Sequence, residues 1–326
     1  MTIDLTDTTT GAIDQALTEA RRRIGGVTLG MVLTLIIVTD EAAQYDAIRA
    51  ANQAAREHPC RILAIITRKP KADSRLDAEI RVGESSPGET IVLRMYGPLG
   101  QHADSVAAPL LVPDVPVVTW WPDEAPDIPA KHPLGALAQR RVTDSAAAEA
   151  PREVLVALAA GYQPGDTDFG WTRATPWRSL LAATLDQPHP QVIAGEIAAE
   201  ADNPTADLIA AWLSLRLAVP VARTVSGGPG ITSAVFTTLD GDIKITRADG
   251  RTATLAWPGR ADRRVALHRR DTAELLAEEL RRLDPDEVYA ETLSRIDAPD
   301  LPDVDEDAAE EAAVAAVDEA TEEYGQ

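Results

Sequence analysis

Val32-Leu33-Thr34-Leu35-Ile36-Ile37-Val38 is an unbroken apolar and β-branched run. Such a run marks a strand covered on both faces of a parallel sheet, because a strand with one solvated face alternates instead. Asp40 follows within two residues and is placed to cap a helix reaching to about residue 57, which Pro59 prevents from continuing. A second buried run, Ile62-Leu63-Ala64-Ile65-Ile66, comes next. Strand, helix and strand in that order open an α/β sheet.

Working outward, Ile13, Leu17, Ala20 and Ile24 recur at helical spacing. Arg21, Arg22 and Arg23 complement the C-terminal end of that helix's dipole, and Gly25-Gly26 stops it. Downstream, 77–82 and 90–95 read as strands about a turn at 85–88, a helix follows near 102–108, and 115–121 is a strand ended by Pro122. Residues 122–133 are rich in Pro and Asp and read as a loop. The segment 162–171, containing Pro164-Gly165-Asp166-Thr167-Asp168, reads as a boundary between domains.

Beyond it the chain changes character. A helix is expected from about Pro176, and another is signposted by Asn203 as cap and Pro204 at its first turn. Leu208, Ile209, Trp212 and Leu213 form the apolar face of that second helix, with Trp212 in the core. Alternating residues around Asp240-Gly241 and Asp249-Gly250 then predict an antiparallel meander, with positive φ at both central turn positions. A last strand at 264–268 leads into Asp271-Thr272-Ala273-Glu274, a capping box, and a helix to 283; the next helix starts from Asp284. The expected fold is α/β: an N-terminal, mostly parallel Rossmann-like sheet with helices at 1–161, then a smaller α+β domain with an antiparallel meander at 171–296. Residues 297–326 read as an acidic, disordered tail.

The formal net charge of −21 disfavours nucleic acid and anionic lipid as partners. Twelve of the carboxylates lie in 297–326, so the rest of the chain carries about −9, ordinary for a soluble protein of this size. Met1-Thr2-Ile3-Asp4-Leu5 has neither the basic nor the apolar part of a signal peptide, and the longest apolar run is far too short to span a bilayer. The single cysteine, Cys60, leaves no intramolecular disulfide to form. The expected compartment is the cytoplasm. Arg in excess of Lys, with abundant Ala, suggests a high-GC bacterial genome.

Searched for chemistry, the chain offers little. Its five histidines are scattered, with no HExxH pair and no Cys/His cluster. There is no P-loop and no GxSxG elbow. After the first buried strand a dinucleotide site needs GxGxxG, whereas the chain gives Thr39-Asp40-Glu41, whose carboxylates repel a pyrophosphate. No cofactor and no metal are expected. Ser226-Gly227-Gly228-Pro229-Gly230 is the one glycine-rich loop: its amides could cradle a phosphate, or it is a turn before the meander. Trp120, Trp121, Trp171 and Trp177, with Arg178, Arg140 and Arg141, are candidate anchors of a protein interface, Trp and Arg being enriched there. Core packing for the tryptophans and ion pairing within the chain for the arginines are the alternatives. Arg269-Arg270 could meet an acidic surface or a phosphate.

Six stretches in order resemble the OpcA family, the glucose-6-phosphate dehydrogenase assembly proteins of bacteria: MVLTLIIVTD at 31–40, REHPCR at 56–61, PDVPVVTWWP at 113–122, PLGALAQRRVTD at 133–144, WTRATPWR at 171–178 and HRRDTAELL at 268–276. The likeness runs from about residue 3 to residue 295. It implies a non-catalytic protein that binds glucose-6-phosphate dehydrogenase and promotes its active oligomer at the entry to the oxidative pentose phosphate pathway. The family supplies no catalytic residues to carry over. In cyanobacterial relatives activation responds to thiol redox state, a dithiol switch that a chain with Cys60 alone does not possess. The alternative is a sugar-phosphate- or nucleotide-binding protein using the loop from Ser226 to Thr232. A scaffold recruiting basic partners through its acidic tail is a further one.

Overall fold

The computed structural model describes residues 1–23, 30–68, 71–83 and 88–296. Ile24 and the Gly25-Gly26 stop, most of the 85–88 turn and the acidic tail lie outside the described residues. In chain order the elements begin β1 (Thr2–Leu5), α1 (Thr10–Arg23), β2 (Leu33–Thr39), α2 (Gln44–Ala54), β3 (Cys60–Arg68), β4 (Arg75–Val82) and β5 (Glu89–Tyr96). They continue with α3 (Ala103–Ala107), β6 (Val117–Trp120), β7 (Arg140–Thr143), α4 (Pro151–Gly161), β8 (Asp166–Asp168), α5 (Phe169–Leu185), β9 (Val192–Ala199) and α6 (Pro204–Leu217). The last are β10 (Val221–Val225), β11 (Ile231–Thr238), β12 (Gly241–Thr246), β13 (Thr252–Ala256), β14 (Arg263–Ala266), α7 (Thr272–Arg281) and α8 (Glu287–Leu293).

The first sheet has eight strands in the order β1-β4-β5-β3-β2-β6-β7-β8. It is parallel from β5 through β8, with β4 and β1 added antiparallel at one end. From Leu33 on, the Val32–Val38 run lies in β2, central in this sheet, where Leu35 and Ile37 point into one apolar cluster and Ile36 into another. Continuous hydrophobicity therefore reflects two covered faces. One cluster takes the alanine-rich face of α2 together with Leu275, Leu276 and Leu280 of α7; the other takes Ile13, Leu17 and Ala20 of α1. Strand order reverses at β2 and β6, the switch point where doubly wound sheets bind their ligands.

The second sheet has six strands, β10-β9-β11-β12-β13-β14, antiparallel except for the β9/β10 pair, which α6 connects. Asn203 caps α6, its side chain accepting from the Ala206 amide at 3.0 Å. Asp271 and Glu274 complete the capping box of α7. The meander is present, with one difference in its turns. At the β11/β12 connection Thr238 pairs with Gly241, and positive φ falls on Gly241 rather than on Asp240; Gly250 carries it at the next turn. The two residues between the paired ends, Leu239 and Asp240, thus keep negative φ, and the ladder runs in unbroken register to Gly241.

The chain divides into two compact units that do not follow a linear cut. Among the described residues, those within 1–148, 161–169 and 271–286 make the first; those within 149–160, 170–270 and 287–296 make the second. Two helices stand apart from any linear cut. Helix α7 buries its leucines in the first unit's core, and α4 belongs with the second. The expected boundary segment holds β8, paired in parallel with β7. Helix α5 starts at Phe169, seven residues before Pro176, so that proline lies inside the helix. Trp212 is half-buried rather than core.

Candidate functional site

Of the tryptophans and arginines offered as interface anchors, Trp120, Trp121, Trp171, Trp177, Arg140 and Arg141 are buried and Arg178 is half-buried. Trp120 and Trp121 are 0% and 1% exposed. Trp120 meets Phe169 at 5.7 Å between ring centroids; Trp121 stands edge-on to His132 at 5.5 Å. Alternation sends them to opposite sides of the sheet, and the loop after β6 covers the second: a Cβ on Gly135 would lie 3.2 Å from the Trp121 ring. Arg140 donates through Nε to Glu279 Oε2 at 2.8 Å and through Nη1 to the Asp284 carbonyl at 3.0 Å, while Arg141 pairs with Asp166. Both arginines are buried. These four residues lie in the core or in internal ion pairs, because β6 and β7 are interior strands whose two faces are both covered.

At the switch point, Thr39 donates to Asp123 Oδ2 at 3.1 Å. Burial raises the Asp123 pKa above its ordinary value, the Thr39 bond lowers it, and the charges of Asp40, Asp144 and Glu124 raise it further. The crevice there, about 720 Å³, is also lined by Asp46, Asp144 and Asp271, and by Arg49, which pairs with Asp46 at 2.8 Å. A nucleotide's phosphates are repelled by such a lining.

The second unit presents the opposite polarity. In α5, Trp171 and Trp177 are buried, Arg178 lies 3.6 Å above the Trp171 ring, and Tyr289 packs on the same indole at 5.6 Å. Trp177 lies under the guanidinium of Arg247, 5.0 Å from its ring centre. Pro176 has no N–H, which leaves the Thr172 carbonyl without its helical donor. Arg270 donates to that carbonyl. Two stretches nearly a hundred residues apart, WTRATPWR and HRR, thereby meet.

They meet around a cleft of about 80 Å³. Arg173, Arg247, Arg269 and Arg270 line it, with Trp177 and Gly230; among the described residues no carboxylate side chain does. Arg247 directly follows β12 and is only 5% exposed. It donates to the carbonyls of Leu267 at 3.2 Å and Ile231 at 3.0 Å, and its Nε is buried with no hydrogen-bond partner. Burial, and then the charge of Arg269, bring its pKa down to about 10, still charged at neutral pH. Arg269 is exposed. Gly230 fixes the spacing of the pair: a Cβ there would lie 3.4 Å from Arg247 Nη2 and 4.0 Å from Arg269 Cζ. The nearby carboxylate of Asp249 is tied to the amides of Arg251 and Thr252, at 2.8 and 2.7 Å.

In the glycine-rich loop of Ser226, Gly227, Gly228 and Gly230, Ser226 and Gly228 meet groups of the chain itself. The Ser226 amide donates to the Ala199 carbonyl at 2.8 Å, and its hydroxyl is 2.6 Å from that of Thr232. Gly228 packs against the Glu200 carboxylate, where a Cβ would come within 2.4 Å. Gly230 and Ile231 reach the cleft. Arg247 was not singled out from the sequence, though a signal existed. Ile243, Ile245 and Arg247 share one phase of an alternating strand, so the arginine occupies the buried face.

Two family models match the chain, one described as the glucose-6-phosphate dehydrogenase subunit N-terminal domain, over residues 51–160, and one as its C-terminal domain, over 164–293. The chain belongs to this OpcA family. No curated protein matches the sequence. Among solved structures, a 3-ketoreductase from Actinomadura kijaniata, KijD10, with NADP and TDP-benzene, is similar at 12% identity and a TM-score of 0.42, over 81% of this chain and 94% of that one. A mutant of the same enzyme gives 11% and 0.44, over 82% and 96%.

Proposed function

We propose that this chain is a non-catalytic assembly factor and allosteric activator that binds glucose-6-phosphate dehydrogenase and promotes its active oligomer. The carrying observation is that two models of the family, each described as a glucose-6-phosphate dehydrogenase subunit domain, match it consecutively over most of its length. The carboxylate-lined switch point supports a non-catalytic role, since Asp123 and its neighbours oppose a dinucleotide's phosphates where such a sheet would hold them. Activation follows from mass action: a protein that binds the assembled enzyme better than its separated subunits shifts the population toward assembly. The setting is the bacterial cytoplasm and the oxidative pentose phosphate pathway.

A steady-state assay of glucose-6-phosphate dehydrogenase from the same source, titrated with this chain, tests the reading alongside mass determination on a sizing column. A saturable rise in rate with a co-eluting complex is expected. An unchanged rate with no complex at micromolar concentrations would overturn it.

A further inference from the structure

We infer that the cationic cleft of the second unit is a binding site for the phosphoryl group of a small phosphomonoester or for inorganic phosphate. Like charges held together need a reason. The guanidiniums of Arg247 and Arg269 converge on Gly230, and among the described residues neither forms an ion pair. In a chain of net charge −21, two such cations beside a lining without carboxylates are a deliberate local excess of positive charge.

The chemistry selects an oxyanion. Arg247 is buried, fixed by two carbonyls and stacked on Trp177, so its orientation is set before a ligand arrives. Preorganised guanidinium forks suit the tetrahedral, multiply accepting phosphoryl group. Exposed Arg269 supplies the second fork from the rim. The end of α6 at Asn203 and Thr205 also lines the cleft and adds the partial positive charge of a helix N-terminus.

Size limits the ligand. A cleft of about 80 Å³ is small beside the roughly 300 Å³ or more of ordinary small-molecule sites. One phosphoryl group fits, and the remainder of a metabolite lies outside. This separates the site from the loop between Ser226 and Thr232, which contributes Gly230 and Ile231 to it but none of its charge. It is also independent of the assembly role, since it concerns the chain without its client.

The test uses the full-length chain alone, with calorimetric titration and thermal melting against inorganic phosphate, glucose 6-phosphate, ATP and, as a neutral control, glucose at matched ionic strength. Saturable binding and a raised Tm are expected with phosphate-bearing ligands and not with glucose. Response to inorganic phosphate assigns the site to the free anion; response to the sugar phosphate or nucleotide alone assigns it to that ester. Arg269→Gln, at an exposed position that does not hold the fold, should weaken binding about ten- to a hundredfold, the scale of one lost charge-assisted hydrogen bond. Arg247→Lys should weaken it while keeping charge. No saturable binding by any phosphate-bearing ligand, or equal affinity in wild type and Arg269→Gln, would overturn the assignment.

Discussion

Arg270 donates a hydrogen bond to the carbonyl of Thr172, the acceptor that Pro176 deprives of its helical partner. A proline in the eighth position of a helix ordinarily costs about 3 kcal/mol, partly through that orphaned carbonyl. Here the guanidinium replaces the missing N–H, which is how α5 continues through Pro176 to Leu185. Arg270→Ala should lower the stability of the second unit by about 1.5–3 kcal/mol, the worth of a hydrogen bond from a charged donor. In a Pro176→Ala background the helix regains its own donor, so the same substitution should cost less. A urea-denaturation double-mutant cycle reads the difference. Strictly additive losses would show that the proline and the arginine do not act on one carbonyl.

The pair between Arg140 and Glu279 holds α7 to the first unit's sheet across 139 residues of sequence. Both side chains are about 5% exposed. Removing one partner strands the other charge in an apolar setting, so Glu279→Ala should cost about 3–5 kcal/mol. Replacing both with apolar residues of similar volume, Arg140→Met with Glu279→Leu, should be far milder. Chemical denaturation of the three proteins decides it; a double variant as unstable as the single one would assign the helix's attachment to something other than charge compensation.

How much of this was legible follows from where the determinants lie. The β2 run, the Asn203 cap and the Asp271 capping box are local signals, and each forms the element it predicts. Strand β7 was hidden because its sequence, Arg140-Arg141-Val142-Thr143, reads as polar; its arginines are neutralised by Glu279 and Asp166, which no local window contains. Strand β9 was missed for a different reason. It is paired on both sides, and its Val-Ile-Ala-Gly-Glu-Ile-Ala-Ala sequence lacks clean alternation. At α5, Pro176 was read as a helix start, its commonest place, since the donor that tolerates it comes from Arg270. The cleft's cations are likewise assembled by tertiary structure, from α5, the end of β12 and the segment after β14.

Glu89 provides a pH test. It receives Arg21 at 2.5 and 2.8 Å and Arg61 at 3.0 Å, and is 2% exposed. Burial pushes its pKa up, but the Arg21 hydrogen bond and the charges of Arg61 and Arg21 outweigh it and hold the carboxyl below its ordinary value. A depressed carboxyl stabilises fully above its unfolded value, about 4.3, and loses that contribution as pH falls through the lower folded one. Glu89→Gln should therefore destabilise the first unit at neutral pH, and its deficit relative to wild type should shrink as pH drops below about 4. Urea midpoints measured from pH 7 to pH 3 show this directly. A constant deficit across that range would mean that Glu89 contributes through shape alone.

Cys60 begins β3 with no solvent exposure, inside the cluster that also holds Leu33 and Ala55. Its surroundings are tight, since a Cβ on Gly88 would lie 1.9 Å from the Cys60 carbonyl oxygen. Burial pushes the thiol up to about 12. The thiolate is the reactive form, and at pH 8 it would be on the order of 10⁻⁴ of the population. The native chain should resist a chromogenic disulfide reagent at pH 8 and release one equivalent per chain when denatured. Pretreatment with oxidant or reductant should then leave any activation of the client unchanged. Rapid stoichiometric labelling of the folded chain would contradict this and reopen Cys60 as a partner for an intermolecular disulfide.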